Sequence, residues 1–239
     1  MDKSTSRFAP LTLAAADLAC TRGGRPVFSG VEFSLASGGL LALNGPNGSG
    51  KSSLLRVLAG LLDPAGGAIS LSSGTRSVGD GEAAAAEAAR QVDGQTQDLI
   101  HYFGHLDGLK SVFTLQENLA FWRAIYGTGE ADGAISIGEA VAQVGLGHMR
   151  DLPVSIFFAG QRRRAGLARL LTAPRPVWLL DEPTAALDSD GEAMLGGLMA
   201  AHLANGGIIV AATHLALPVA PTQTLDMTLD MARGMESVA

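Results

Sequence analysis

The chain has 239 residues, of which 47% are apolar and 17% charged, and its formal net charge is −6. This composition indicates a globular protein with a substantial core, and the acidic balance argues against general nucleic-acid binding, which requires a basic face. Cys20 is the single cysteine, so a disulfide framework is excluded and a reducing compartment is favoured.

The first predicted elements are the strands of a small antiparallel sheet. Apolar and polar residues alternate between positions 11 and 35, and glycine-containing turns at 22–24 and 37–39 separate the runs. The apolar run Leu40–Leu43 follows and leads directly into a glycine-rich loop.

This loop fits the pattern G-x-x-x-x-G-K-[ST], with an apolar run before it and a helix-like segment after it. We expect backbone N–H groups to converge on a phosphate, Lys51 to reach the β- and γ-phosphates, and the Ser52 hydroxyl to bind Mg²⁺. A glycine-rich turn that ends in Lys-Ser by chance is the alternative. The predicted phosphate-binding residues are Gly45, Pro46, Asn47, Gly48, Ser49, Gly50, Lys51, Ser52 and Ser53.

The segments after the loop continue an α/β pattern. A helix is predicted up to about Asp63, with five leucines on one face, and a strand is predicted at residues 68–71. Residues 72–98 are rich in Gly, Ser, Ala and acids, and we interpret them as a mobile insertion with a short exposed helix at 82–90. The five leucines are Leu54, Leu55, Leu58, Leu61 and Leu62.

Residues 101–126 hold six of the 12 aromatic residues of the chain. Two interpretations stay open: these side chains form the core of a helical subdomain, or some form an exposed patch that docks a partner. Helical periodicity is predicted for residues 115–124 and 136–144. The six aromatics are Tyr102, Phe103, Phe113, Phe121, Trp122 and Tyr126.

The run Val177–Leu180 predicts a buried strand whose carboxyl end presents Asp181 and Glu182. In open α/β sheets ligands bind at that edge, so we expect Asp181 to hold Mg²⁺ and Glu182 to act as base for the attacking water. Acids placed there for solubility are the alternative. A second buried strand at residues 208–212 precedes His214, a candidate donor to the γ-phosphate.

Residues 193–225 contain no charged side chain, which raises the question of a membrane span. Histidines, a glycine pair and Pro218 interrupt this stretch. A helix, a glycine turn and a short buried strand explain it better, so we predict no direct membrane insertion.

The order of these motifs resembles the ATP-binding subunit of ABC transporters. The resemblance implies an α/β fold of the phosphate-loop NTPase class, with a mixed central sheet, a small antiparallel β subdomain and a helical subdomain. It implies a single domain over residues 1–239, with core and β subdomain at about 11–104 and 174–225 and helical subdomain at about 105–173. It further implies ATP and Mg²⁺ as cofactors.

The same resemblance implies an ATP-dependent, head-to-tail homodimer in which each ATP is clamped between one phosphate loop and the signature segment of the other copy. Here the signature segment is 157–161, in which Ala159, Gly160 and Gln161 are expected to contact nucleotide. Asp188 closes the D-loop, and His214 is the switch histidine.

Residues 102–110, 114–119 and 159–164 resemble, more narrowly, the haem-exporter ATP-binding subunit of the cytochrome c maturation system. This implies a peripheral subunit on the cytoplasmic face of the bacterial inner membrane. The resemblance also implies membrane-embedded transporter subunits as partners. The implied role of the complex is the release of a haem-loaded chaperone. His105 takes the place of the usual Q-loop glutamine and is a candidate catalytic residue.

The chain departs from the family pattern at two further places. No aromatic residue lies near Cys20 to stack on adenine, which leaves Arg22 as the candidate. Phe158 replaces the signature serine, and loss of that hydrogen bond costs about 1.5–3 kcal/mol, or about 10- to 100-fold in closure.

These departures keep two alternatives open within the family: an ATPase of another ABC exporter, and a nucleotide-binding subunit of low turnover. A third hypothesis is a regulatory or DNA-associated ABC ATPase without a membrane partner. Such proteins carry paired ATPase domains or a long coiled coil, for which 239 residues leave no room.

Overall fold

Two sheets with surrounding helices make up the computed structural model, which describes residues 6–73, 97–127 and 134–228. The strands are β1 (Leu11–Arg22), β2 (Arg25–Ala36), β3 (Leu40–Asn44), β4 (Gly66–Ser73), β5 (Ile100–Phe103), β6 (Val177–Asp181), β7 (Ile208–Ala212) and β8 (Gln223–Asp226). The helices are α1 (Lys51–Leu58), α2 (Leu115–Tyr126), α3 (Ile137–Gln143), α4 (Ala159–Thr172) and α5 (Ser189–Ala204).

The smaller sheet is antiparallel and has the order β2-β1-β4. The apolar residues that alternate along β1 face the core, and Leu13 pairs with Leu35 on one side and with Leu71 on the other. The predicted antiparallel sheet is therefore confirmed, and the strand predicted at 68–71 is its third member.

The larger sheet has the order β5-β6-β7-β3-β8. Within the described residues, every strand pairing in this sheet is parallel. The resemblance implied a mixed sheet, and the described strands differ from it in this respect. Strands β6 and β7 are buried along their whole length because both faces are covered. Alternate residues supply the two faces: Val210 joins the core shared with α1 and the smaller sheet, whereas Ile209 joins the core shared with α4.

Parallel pairing brings the carboxyl ends of all five strands to one edge, and four of them lead into segments of the predicted site. The phosphate loop follows β3, residue 104 follows β5, Asp181 ends β6 and Thr213 follows β7. The α/β class and the separate β sheet are confirmed, while the subdomain limits stay a prediction.

Helix α1 is shorter than predicted. It ends at Leu58, and Leu61 lies beyond it with 63% of its surface exposed. Gly60, in a left-handed conformation, ends the helix before the leucine pattern does. Most of the predicted insertion, including its predicted helix at 82–90, lies outside the described residues.

The uncharged stretch folds as predicted, into the body of α5, a turn at Gly206 and the strand β7. No helix in the described ranges combines the length and apolar character that crossing a membrane requires. The aromatic residues divide between the two interpretations, since Phe103 is fully buried whereas Phe121 is 38% exposed.

Candidate nucleotide-binding site

The loop between β3 and α1 has the backbone shape of an anion cradle. Gly45 and Gly50 have φ angles of 136° and 95°, and a Cβ atom at either position would lie within 3 Å of a neighbouring side chain. Lys51, the first residue of α1, is 7% exposed, and its Nζ donates to the carbonyls of Gly45 and Pro46. No acidic side chain lies in the first turn of α1, so its N-terminus is free to attract an anion.

Asp181 and Ser52 meet at the end of β6. Asp181 is 3% exposed, and its Oδ1 accepts a hydrogen bond of 2.9 Å from the Ser52 hydroxyl. The Tyr102 hydroxyl lies 3.5 Å from the other carboxylate oxygen. A hydroxyl and a carboxylate oxygen are hard donors of the kind that Mg²⁺ binds, so this pair fits the predicted metal.

Glu182 follows Asp181 in a left-handed backbone conformation, with a φ angle of 49°. Its N–H donates to the Ala212 carbonyl at 2.8 Å, which ties the turn to β7. Its Oε2 lies 2.9 Å from Nδ1 of His214, which follows the neighbouring strand. Non-glycine residues in this region of φ are uncommon and concentrate at functional sites.

One cavity brings most of the predicted residues together. His105 reaches it from the end of β5, and Arg22 and Val27 reach it from the smaller sheet, at the place predicted for adenine. Gly45 and Pro46 do not line it and instead hold the Lys51 side chain. The lining residues are Arg22, Val27, Asn47, Gly48, Ser49, Gly50, Lys51, Ser52, Ser53, Arg56, His105, Asp181 and Glu182.

Gly160, Gln161 and Asp188 lie in a separate cleft at the start of α4, which shares no lining residue with the first cavity. Ala159, the first residue of α4, instead lines a neighbouring pocket with His105, and His214 lines neither cleft but contacts Glu182. Gly160 is packed so closely that a Cβ atom there would lie 2.9 Å from the Ala186 carbonyl oxygen. Asp188 accepts from the Gly191 N–H at 2.9 Å, capping α5, and pairs with Arg164. That N–H and then the Arg164 guanidinium lower the pKa of Asp188.

Phe158 precedes α4, and 79% of its surface is exposed. Its N–H donates to Oε1 of Gln161 at 3.0 Å, but its ring offers no acceptor to the N–H groups of the first turn. The N–H groups of the first turn of α4 therefore have no side-chain cap, which leaves them available to an anion.

Arg163 was not predicted, although it contacts both the candidate catalytic segment and the loop after β5. The guanidinium donates to backbone carbonyls of Gly104, Asp181, Glu182 and Pro183. Burial lowers the pKa of Arg163 to about 10, so the group is charged at neutral pH. The sequence signal was the run of three arginines after Gln161, which reads equally well as a solvated helix face.

A groove between α2 and β5 carries three half-buried aromatic residues of the cluster, Tyr102, Trp122 and Tyr126. Trp122 stacks on Tyr126 with ring centroids 5.5 Å apart, and the guanidinium groups of Arg169 and Arg175 lie over these rings at 4.5 and 4.2 Å. Ile125, on the same helix, is 55% exposed. We call this surface the aromatic groove; it is lined by Ala59, Leu61, Gln97, Asp98, Ile100, Tyr102, Trp122, Ile125, Tyr126, Arg169 and Arg175.

Comparison with known proteins gives consistent matches to this arrangement. The family model described as ABC transporter matches residues 28–185. The cytochrome c biogenesis ATP-binding export protein CcmA of Bradyrhizobium diazoefficiens is 48% identical over 87% of this chain and 94% of its own length. The protein of the same name from Nitrobacter winogradskyi is 49% identical, over 88% of this chain and 95% of its own.

Solved structures share the fold. A putative ABC transporter ATP-binding protein from Pyrococcus furiosus superposes with a TM-score of 0.71 at 19% identity, covering 92% of this chain and 98% of its own. The ATP-binding subunit of an ABC transporter superposes with a TM-score of 0.69 at 25% identity, covering 85% and 79%.

Proposed function

The chain belongs to the ABC transporter family of ATP-binding proteins, and from this membership we propose that it is the ATP-hydrolysing subunit of an export complex for cytochrome c biogenesis. The observation that carries the proposal is one cavity that holds Lys51, Ser52, Asp181 and Glu182 together. The two relatives named above carry that role in their names. The resemblance implies haem as the cargo, and we include haem in the proposal as the specific substance exported.

In the proposed reaction the phosphate loop and Lys51 bind the triphosphate. Ser52 and Asp181 would hold Mg²⁺, which would supply positive charge to neutralise the phosphate oxygens. Glu182 accepts a proton from the attacking water, and His214, within 2.9 Å of it, keeps that carboxylate oriented and donates to the γ-phosphate. His105 lines the same cavity, where it would contact the attacking water.

We propose that two copies pair around two ATP molecules. The cleft with Gly160, Gln161 and Asp188, next to Ala159 at the start of α4, shares no lining residue with the phosphate cavity of its own chain, and pairing with a second copy would bring the two surfaces onto one nucleotide. The uncapped first turn of α4 supplies N–H groups to the γ-phosphate in place of the missing serine hydroxyl.

The aromatic groove is the proposed docking surface for the membrane-embedded subunit. It combines the exposed apolar side chains of Leu61 and Ile125 with half-buried aromatic rings, the features that favour a protein partner with apolar residues. Such docking places the chain on the cytoplasmic face of the inner membrane as a peripheral subunit.

Two variants with similar exposure test this docking. Ile125→Glu, in the groove, is expected to release the chain from the membrane fraction. Ile156→Glu is the control, because Ile156 is 54% exposed and lies outside the groove. Equal membrane association of the two variants would contradict the docking surface.

Complementation tests the whole proposal. In a bacterium whose own subunit has been deleted, the wild-type chain is expected to restore haem-stained c-type cytochromes, and Lys51→Ala is expected to fail at equal protein abundance. Restoration by Lys51→Ala would show that ATP use by this chain is not required. Loss of some other exported substance, with normal cytochromes, would favour the alternative of another exporter.

A second candidate function is a nucleotide-binding subunit of low turnover. The observation in its favour is Phe158, whose exposed ring occupies the position of the signature serine. ATPase rates of the wild type and Phe158→Ser separate the two candidates.

A further inference from the structure

Arg163 links segments that lie far apart in the chain. Its guanidinium donates to the carbonyl of Gly104 at 3.0 Å and to the carbonyl of Asp181 at 2.7 Å. It also donates to the carbonyls of Glu182 and Pro183. Because the residue is only 6% exposed, these charge-assisted bonds form away from bulk water, where they are strongest.

These hydrogen bonds reach the turn in which Glu182 has its strained backbone conformation. The carbonyl of Glu182 accepts both from Arg163 and from the N–H of Ala185, at 3.1 Å, in the turn that holds Glu182 at positive φ. A conformation of this kind persists only when its surroundings over-determine it. The Phe103 ring lies 4.1 Å below the guanidinium and fixes its plane.

The position of Arg163 on α4 gives these bonds a second consequence. The residue lies three positions after Gly160, within one turn of the helix start that lines the signature cleft. One side chain therefore connects that helix start with the catalytic turn and the loop of His105 in the same chain.

We propose that Arg163 is a positioning residue that holds the Glu182 turn and the His105 loop in fixed relation to the start of α4. The inference rests on the proposed ATPase function. Lysine cannot replace it, because a single ammonium group cannot reproduce a planar fork that bonds to carbonyls on several segments.

Hydrogen exchange of the full chain tests the placement directly, without nucleotide. In Arg163→Lys we expect amides in peptides covering 182–187 and 104–109 to exchange about tenfold faster, with the phosphate loop unchanged. Arg162→Lys is the matched control: Arg162 pairs with Asp107 at 2.8 Å and touches none of these four carbonyls. Its peptides at 182–187 are expected to match the wild type.

Kinetics supply the second readout. We expect kcat of Arg163→Lys to fall about tenfold or more while the KM for ATP stays within about threefold, because Arg163 lies outside the phosphate loop. Unchanged exchange at 182–187, or equal acceleration in every peptide, would overturn the inference. An inactive wild type would count against the proposed function alone, since the exchange comparison needs no turnover.

Should Arg163→Lys fail to fold, Phe103→Leu carries the same test. It removes the ring beneath the guanidinium and leaves the donors in place. Faster exchange confined to 182–187 and 104–109, by about threefold, is expected, and an unchanged pattern there would contradict the proposal.

Discussion

His214 Nδ1 and Glu182 Oε2 lie 2.9 Å apart, and this contact joins the carboxyl ends of two adjacent parallel strands. The side chain of Glu182 is 21% exposed, so the carboxylate reaches the cavity, and His214 approaches it from the more open side with 57% exposure. The pair thus places a base and a potential donor beside the position proposed for the γ-phosphate.

Glu182→Gln is expected to lower ATP turnover by about 100-fold or more, because the amide cannot accept a proton from water. Binding is retained, so ATP-bound dimers should accumulate and appear at twice the monomer mass in size-exclusion chromatography. Glu192→Gln, an exposed acid in the first turn of α5, is the control and should hydrolyse ATP like the wild type. A Glu182→Gln protein that remains monomeric with ATP would contradict the dimer mechanism.

Phe158→Ser is expected to promote ATP-driven dimer closure by about 10- to 100-fold, since the hydroxyl adds one hydrogen bond to a charged phosphate oxygen. Dimer fraction against ATP concentration measures this effect, with Phe121→Ser as a control for loss of an exposed aromatic ring. If the wild type has no ATPase activity and Phe158→Ser restores it, the low-turnover function is favoured. Equal closure in both proteins would show that the first-turn N–H groups suffice.

The parts of the site that follow strands were predictable from the sequence. A glycine-rich loop after one strand and an acid pair after another lie at the same sheet edge when the strands are parallel, here with only β7 between them, and Lys51 and Asp181 do line one cavity. The pairing of Ser52 with Asp181 needed no information beyond these two motifs.

The contacts between distant side chains and backbone carbonyls were not predictable. Arg163 has no motif of its own, because carbonyl acceptors leave no mark in the sequence of the segments that supply them. The length of α1 was predicted wrongly because the leucine pattern continues to Leu62, whereas Gly60 ends the helix first. The parallel order of the large sheet depends on crossover connections, which local periodicity does not encode.

Stability is expected to fall on acidification because His202 is buried in the neutral form. Burial lowers the pKa of His202 from 6.5 to about 4, while its ring stacks on Trp178 with centroids 3.9 Å apart. Between these two pH values the unfolded chain binds more protons than the folded one, so stability is present above pH 6.5 and is lost as the pH falls toward 4. From pH 7 to pH 5 the expected loss from this residue is about 2 kcal/mol.

Urea unfolding of His202→Phe at both pH values measures this contribution. The variant should lose about 2 kcal/mol less than the wild type between pH 7 and pH 5. Some pH dependence is expected to remain, since burial also lowers the pKa of His101. His148→Gln, at an exposed position, should keep the full wild-type dependence, and an equal slope in His202→Phe would contradict the prediction.

Asn118 is expected to stabilise the chain segment that precedes α2, the helix that presents part of the aromatic groove. The side chain is fully buried; its Nδ2 donates to the carbonyls of Lys110, Phe113 and Thr114, and its Oδ1 accepts from the Lys110 N–H at 2.7 Å. Asn118→Ala leaves the Lys110 N–H without its acceptor and removes one of the two donors to each of the three carbonyls, which still accept from the N–H groups of Phe113, Val154 and residue 118. The loss should cost about 1–3 kcal/mol of unfolding free energy.

Urea titration with Gln116→Ala as the matched control measures this cost. Gln116 lies on the same helix, and its side chain makes none of the contacts of Asn118, so its loss should cost less than about 0.5 kcal/mol. If Asn118→Ala unfolds at the urea concentration of the wild type, water reaches the freed backbone groups and the segment is not held by this side chain. A drop in stability with intact ATP binding is the expected result, because Asn118 does not line the phosphate cavity.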